Sequence, residues 1–128
     1  MAADLFSDTT SIVLGKTLDA TVARQKAIAN NIANVETPGY KRCYVSFEEQ
    51  LVSAMRQGDS KRVRRAVREL VPLKRTDVLS PSRPDGNNVN IDAEIADLAR
   101  NSLNNKAAAV LLEAKGAMLR AAVSEGKR

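Results

Sequence analysis

The chain has 128 residues, which suits one domain or one elongated unit, and carries a formal net charge of +5. It has two Phe, two Tyr and no Trp, and much of its apolar content is alanine, so a self-contained core would be thin and partner chains are expected to supply burial. No stretch approaches the ~20 apolar residues of a membrane span, and the absence of histidine removes the commonest general base.

An N-terminal helix is the first element that the sequence predicts. From about residue 11, a stripe with one polar interruption recurs at alternating spacings of four and three, at Leu14, Leu18, Thr21, Gln25, Ile28 and Ile32. The stripe predicts a helix over about 11–34, capped by Thr10 or Ser11 and ended before Pro38. Its expected packing residues are Leu14, Leu18, Ile28 and Ile32.

This helix leads into the string Ala-Asn-Asn-Ile-Ala-Asn-Val-Glu-Thr-Pro-Gly-Tyr-Lys at residues 29–41. Pro38 and Gly39 suit the central positions of a type II turn, where glycine supplies a positive φ, and Asn34 can take the left-handed conformation that often ends a helix. The tyrosine ring and the asparagine amides can contact a neighbouring segment. Taken alone, these features are typical of an ordinary helix end and reverse turn. The residues of this segment available for contacts are Asn30, Asn31, Asn34, Thr37, Pro38, Gly39 and Tyr40.

The middle of the chain predicts short elements. The Ser-Phe-Glu-Glu string at residues 46–49 matches a capping box and predicts a helix over about 47–57, stopped near Gly58. The basic segment 59–75 holds seven Lys and Arg against two carboxylates, an excess equal to that of the whole chain. Its part at 60–71 can form a further helical turn or two, or a mobile loop. Between 71 and 90, three prolines, an Asp-Gly turn signal and apolar residues favour a small hairpin.

The C-terminal helix has the longest periodic pattern. Alternating spacings of four and three run through Ile91, Ile95, Leu98, Ser102, Asn105, Ala109, Leu112, Gly116, Leu119 and Val123. The pattern predicts a helix that begins near residue 91, is capped by Asn90 or Asp92, and ends before Gly126. Its expected seam residues are Ile95, Leu98, Leu112 and Leu119. A second apolar strip allows contact with more than one neighbour and consists of Leu103, Val110, Leu111 and Met118.

These elements predict a mainly α fold. The long N- and C-terminal helices pack as a coiled-coil-like pair, and the middle contributes a short helix and a small irregular or β-hairpin segment. The expected division is an N-terminal axial helix and turn at 1–42, a middle insert at 43–90 and a C-terminal axial helix at 91–128. Together they form one elongated unit.

Two stretches of the sequence resemble flagellar axial proteins, the rod and hook family. Residues 29–41 match the pattern Ala-Asn-Asn-(Ile/Leu)-Ala-Asn-x-x-Thr-Pro-Gly-Tyr-(Lys/Arg) of that family at every position. Residues 86–98 are similar to the corresponding stretch of its proximal rod members, and this similarity adds Asn88 and Asp92 to the expected assembly motif. Relatives often carry tyrosine near the position of Asn105, where a lone polar residue can instead fix the register of the seam.

The resemblance implies a structural, non-enzymatic subunit of the proximal rod of the flagellar basal body, whose terminal helices build a hollow, periplasm-spanning shaft. Implied partners are copies of the chain, other flagellar rod proteins, the membrane-ring adaptor protein and the type III export apparatus. Residues 1–14 lack the basic region of a cleavable secretory signal, which agrees with that export route. No small-molecule substrate, cofactor or metal is expected.

Three other interpretations fit parts of the sequence. An enzyme is disfavoured because Cys43 has no histidine partner and Gly15-Lys16-Thr17 matches only the end of a phosphate-binding loop. A basic nucleic-acid-binding helical protein is suggested by segment 61–75, but no aromatic residue interrupts that segment. A generic coiled-coil adaptor explains the heptads but neither the turn at 37–40 nor the string at 87–92. The last two stand as alternatives to the rod interpretation.

Overall fold

Two long helices and a small middle segment make up the computed structural model, which describes residues 8–126. Helix α1 spans Thr9–Ala33 and helix α4 spans Ile91–Glu125, lengths of roughly 38 and 52 Å. The elements between them are strand β1 (Cys43–Ser46), helix α2 (Glu48–Met55), helix α3 (Ser60–Glu69) and strand β2 (Leu73–Thr76). The mainly α fold with paired terminal helices is thereby confirmed. None of the helices between residues 8 and 126 is long and apolar enough to cross a membrane.

Helix α1 begins two residues earlier than the periodicity predicts. Its cap is Asp8, whose carboxylate accepts a hydrogen bond from the Ser11 N–H at 3.0 Å, so the prediction of Thr10 or Ser11 as the cap is wrong. At the other end, Asn34 has φ −106° and does not take the predicted left-handed conformation. Its amide instead donates back to the carbonyl of Asn30 at 2.8 Å, and the chain reverses later, at the next turn.

The seam between α1 and α4 combines small and polar residues. The side of α4 that faces α1 is buried or half-buried at Glu94, Leu98, Asn101, Asn105, Ala108, Leu112, Lys115 and Leu119. The predicted alternation of four and three is correct, but at four positions the seam uses the preceding residue. These residues are Glu94, Asn101, Ala108 and Lys115, where the sequence pattern predicts Ile95, Ser102, Ala109 and Gly116. Hydrogen bonds explain this register, because Asn101 donates to the Thr21 carbonyl at 2.8 Å and Asn105 donates to the Thr21 hydroxyl at 2.7 Å.

Helix α2 does not use the predicted capping box. Its N-cap position is Phe47, which makes no side-chain cap hydrogen bond, and Ser46 instead lies in β1 opposite Leu73. Phe47 is only 2% exposed, so burial of the ring, together with acidic residues in the first turn, fixes where this helix starts. The basic segment forms helix α3, capped by Asp59, and fully buried Val67 anchors it on the rest of the fold.

Strands β1 and β2 form a two-stranded antiparallel sheet with Cys43 opposite Thr76 and Ser46 opposite Leu73. A small sheet in the middle segment is therefore present, but its strands pair across α2 and α3 and do not form the local hairpin predicted within 71–90. Asp77 ends β2, because its carboxylate accepts from the N–H groups of Leu79 and Ser80 at 3.0 Å and turns the chain. The rest of that predicted hairpin is loop.

Candidate assembly site

Two glycine turns meet where α1 ends and the segment before α4 begins. Gly39 has φ +74°, and the Tyr40 N–H donates to the Thr37 carbonyl at 3.3 Å, so Pro38 and Gly39 form the predicted reverse turn. The Gly39 N–H donates to the Asp85 carbonyl at 2.8 Å, and a Cβ on Gly86 would lie 3.4 Å from the Gly39 Cα. The two sequence motifs, far apart in the chain, therefore pack backbone to backbone.

Asn87 holds the loop that follows α1. Its side chain is fully buried, and its amide donates to three backbone carbonyls of that loop, those of Asn34 at 2.9 Å, Val35 at 3.2 Å and Thr37 at 2.8 Å. Its oxygen accepts from the Val89 N–H at 2.8 Å. One side-chain amide thus satisfies backbone groups of both motifs.

Asn88 extends the two-stranded sheet by one step. Its oxygen accepts from the Arg42 N–H at 2.7 Å, and its amide donates to the Asp77 carbonyl at 2.8 Å. The Asp77 N–H in turn donates to the Arg42 carbonyl at 2.9 Å. The Asn88 side chain therefore lies between the Arg42 N–H and the Asp77 carbonyl, which would otherwise bond to each other directly. In this way Asn88 joins the second motif to the ends of both strands.

Asn31 plays the same part at the other edge of β1. Its oxygen accepts from the Cys43 N–H at 2.8 Å, and its amide donates to the Cys43 carbonyl at 2.7 Å, so the side chain imitates a neighbouring strand. The oxygen also accepts from the Tyr40 hydroxyl at 3.2 Å, and the amide also donates to Glu94 at 3.0 Å. All four hydrogen bonds that an asparagine amide can make are thereby formed.

A buried ion pair completes the network. Glu94 is fully buried on α4 and accepts from the Arg42 Nε at 2.7 Å, and the Arg42 guanidinium also lies 3.4 Å from Asp97. Burial by itself lowers the pKa of Arg42, but the hydrogen bond and charge of Glu94 outweigh it and raise that pKa. Burial, followed by the nearby Cys43 and Glu94, raises the pKa of Tyr40. Arg42 therefore stays charged and Tyr40 neutral near pH 7.

The structure divides the predicted assembly motif into two groups. Asn31 and Asn88 are buried, and Asn34 and Tyr40 are half-buried, so these side chains bond within the chain. The residues that remain exposed on the surface are Asn30, Thr37, Pro38, Gly39 and Asp92. This second group forms the surface of the motif.

The predicted seam residues also fall into groups. Ile28 is buried, and the half-buried residues are Leu14, Leu18, Ile32, Leu98, Leu112 and Leu119. Ile95 is 54% exposed and lies outside the seam between α1 and α4, because Glu94 takes the inward position next to it. Ile95 therefore presents an apolar side chain to the surroundings.

Sequence reasoning missed Arg42 and Glu94, and it used Asn87 only as part of a string. A signal for Glu94 existed, because at about 100° per residue it shares a side of the helix with Leu98 and Asn105. A carboxylate in such a seam requires a buried partner. Among residues 8–126, no group of three or more His, Cys, Asp or Glu side chains is placed to hold a metal ion.

The side of α4 opposite the seam carries an exposed apolar strip. Helical spacing places Leu103, Ala107, Val110, Ala114, Ala117 and Ala121 along it, flanked by Leu111 and Met118. Leu103 is 68% exposed and Met118 is 67% exposed. We call this set the outer strip. Its spacing of four and three repeats that of the inner seam, so α4 offers two helix-packing faces.

Comparison with known proteins agrees with these features. The sequence model of the family described as "Flagella basal body rod protein" matches residues 13–41, which cover most of α1 and the turn after it. The chain is similar to the "Flagellar basal body rod protein FlgB" of Borrelia hermsii, with 38% identity over 101 residues, 67% of this chain and 74% of that protein. It is also similar to the protein of the same description from Bacillus subtilis strain 168, with 31% identity over 114 residues, 81% of this chain and 84% of that protein.

Proposed function

Because this chain belongs to the family of FlgB-type flagellar basal body rod proteins, we propose that it is a structural subunit of the proximal rod and assembles by packing of its two terminal helices. Its location is the flagellar basal body. Copies of this chain and other flagellar rod proteins pack along the terminal helices, and the membrane-ring adaptor protein contacts the base of the assembly. The subunit reaches the periplasm through the flagellar type III export apparatus without loss of a signal peptide.

The outer strip of α4 is the observation that carries this proposal. The inner seam already joins α4 to α1, yet the opposite side of the helix exposes the side chains of Leu103, Val110, Leu111 and Met118. Contiguous exposed apolar surface of this kind marks a protein contact. The alanines between them allow a second helix to approach closely. One face of α4 packs within the subunit, and the opposite face is exposed to a neighbouring subunit. Head-to-tail contacts through such an exposed face build an open helical filament when they do not form a closed ring.

The buried polar network supports a structural role over a catalytic one. Asn31, Asn87 and Asn88 use their amides on backbone groups and on Glu94, and Glu94 is paired with Arg42. These groups hold the turn, the sheet and α4 in one arrangement. All of them except Arg42 belong to the two family motifs, and they are engaged with one another. The motifs therefore specify a shape that is presented to neighbours.

A single substitution with a neighbouring control tests the outer strip. In a strain that lacks its own copy of this protein, Leu103→Asp is expected to abolish swimming, because it places a charge in the subunit contact. Ser102→Asp, on the adjacent exposed residue toward the other side of α4, is expected to leave swimming largely intact. If the Leu103→Asp and Ser102→Asp strains swim equally well, the outer strip is not a contact surface.

Electron microscopy of basal bodies tests the function itself. A strain without this chain is expected to retain its membrane ring and to lack rods, and the intact chain is expected to restore both rods and swimming. Complete rods in the deleted strain would contradict a rod subunit. That result would favour a generic coiled-coil adaptor.

A further inference from the structure

The outward side of α3 and the following strand form a strongly basic surface. We call it the basic surface, and it consists of Lys61, Arg62, Arg64, Arg65, Arg68, Lys74 and Arg75. Six of these residues are exposed, and Arg64 is half-buried at the edge of the surface. Of the two carboxylates in this stretch, Asp59 is used to cap α3, and Glu69 lies 3.3 Å from Arg65. Among residues 8–126, that contact is the one ion pair in which the basic surface takes part.

Helix α3 holds these charges in a fixed arrangement. Val67 is fully buried, α3 packs against α1 and α2, and the Lys16 ammonium of α1 donates to the Leu70 carbonyl at 2.8 Å, which secures the end of the helix. Lys61 and Arg65 stand four residues apart, as do Arg64 and Arg68, so like charges face each other along the helix. Such pairs each oppose helix formation. The chain supplies little counter-charge to relieve this repulsion.

The surroundings of the basic surface favour a protein as the source of that counter-charge. The apolar side of α3 is used inside the fold, so it is not free to enter a lipid surface. Residues 56–79 contain no aromatic side chain on which nucleic acid bases stack. Exposed apolar side chains adjoin the charges instead, among them Val71, Val78 and Leu79, the last 93% exposed. Arginine beside exposed apolar residues is typical of protein interfaces.

We propose that the basic surface docks on an acidic surface of a second basal-body protein. Five of its seven basic residues are arginines, which bind carboxylates through two parallel hydrogen bonds. A second copy of this chain is a poor complement. Its adjacent exposed carboxylates, Glu48 and Glu49, are partly neutralised because Glu48 lies 2.8 Å from Arg24. Other exposed carboxylates between residues 8 and 126 are spread singly over several elements, as at Asp19, Asp92 and Glu113. The inference rests on the proposed rod function and assigns a contact that the terminal helices do not make.

Charge reversal in the intact chain tests this inference. The variant Lys61→Glu, Arg62→Glu, Arg68→Glu changes three exposed residues that take part in no ion pair within 8–126. It is expected to reduce complete rods by about tenfold or more, because like charges then meet across the contact. The control variant Lys61→Arg, Lys74→Arg keeps every charge and every guanidinium of the basic surface and is expected to assemble normally. Circular dichroism of both purified variants checks that they fold alike.

Suppressor mutations then identify the partner. Acidic-to-Lys changes in another basal-body protein that restore swimming to the Glu variant would support the inference. Suppressors in the carboxylates of this chain would show a second copy as the occupant and overturn it. If the folded Glu variant builds normal rods, the inference is overturned while the rod function stands. In that case, duplex DNA that binds the unmodified chain but not the Glu variant would assign the basic surface to nucleic acid. Failure of the unmodified chain to restore swimming would instead remove the proposed function, and this inference with it.

Discussion

At the scale of single residues, asparagine amides connect the two family motifs. Asn31 and Asn88 each bond one N–H and one carbonyl of the β1 and β2 region, and in that way they act as substitutes for a strand. The sequence around Asn31 and Asn88 indicates that their amides make polar contacts. It does not indicate which backbone groups they bond, because those groups lie up to 46 residues away in the chain. The turn at Pro38-Gly39, by contrast, follows from residues adjacent in sequence, and its geometry is predictable.

Removal of the Asn31 amide is expected to destabilise the fold. Asn31→Ala leaves the Cys43 N–H and carbonyl without their side-chain partner, and an unsatisfied buried polar group costs ~1–3 kcal/mol. The measurement is the free energy of unfolding in urea. Asn30→Ala is the control, because Asn30 is exposed, and its effect is expected within about 0.5 kcal/mol of zero. Equal stabilities of the two variants would contradict the strand-like role of Asn31.

At the scale of elements, the sequence predicts where helices lie better than which faces they bury. Both long helices are predictable from period and length, and Asn90 caps α4 as expected, with its oxygen 3.0 Å from the Asp92 nitrogen. Hydrophobic spacing alone places Ile95 in the seam, whereas hydrogen bonding places Glu94 there. The antiparallel partner of β2 was not predictable either, because two helices separate it from β1.

The start of α1 is expected to make stability depend on acidic pH. A hydrogen bond from Lys115 of α4, opposed in part by burial, lowers the pKa of Asp8 from 3.8 to about 2. Since the folded-state pKa lies below the unfolded value, this stabilisation is fully present above pH 3.8 and is lost as the pH falls toward 2. Its size at pH 7 is at most ~1 kcal/mol, because the pair is partly exposed.

Asp8→Asn isolates this charge, because asparagine caps a helix about as well as aspartate. Thermal unfolding is expected to show the native chain as the more stable of the two at pH 7, with a difference that shrinks as the pH falls below 3.8 and through about 2. A stability difference that stays constant from pH 7 to pH 2 would show that the Asp8 carboxylate and Lys115 do not interact as described.

At the scale of the whole molecule, the two faces of α4 divide folding from assembly. Leu112 is half-buried on the inner seam, whereas Leu103 is exposed on the outer strip. A charge at either position is incompatible with rod assembly under the proposed function. Only the charge at the inner position also opposes the packing of α4 on α1 within one subunit.

Leu112→Asp is therefore expected to abolish rod assembly and swimming while leaving export intact, and also to lower the melting temperature of the purified chain. Leu103→Asp is expected to abolish swimming with little change in melting temperature. Circular dichroism on heating and detection of exported subunits are the measurements. Normal motility of the Leu112 variant would count against the seam assignment, and an equal loss of thermal stability in both would show that the two faces are not distinct.

The order in which the chain is synthesised gives the helix pair a further consequence. The hydrogen bonds that join α1 to α4 connect residues 63 positions apart at Asn31 and Glu94 and 80 positions apart at Thr21 and Asn101. The ribosome therefore releases α1 well before its partner exists, and contacts so distant in sequence form slowly because a long loop must first close. The pairing of α1 with α4 therefore forms only after most of the chain has been translated, at a time when the other partners of α1, strand β1 and helix α3, have already been made.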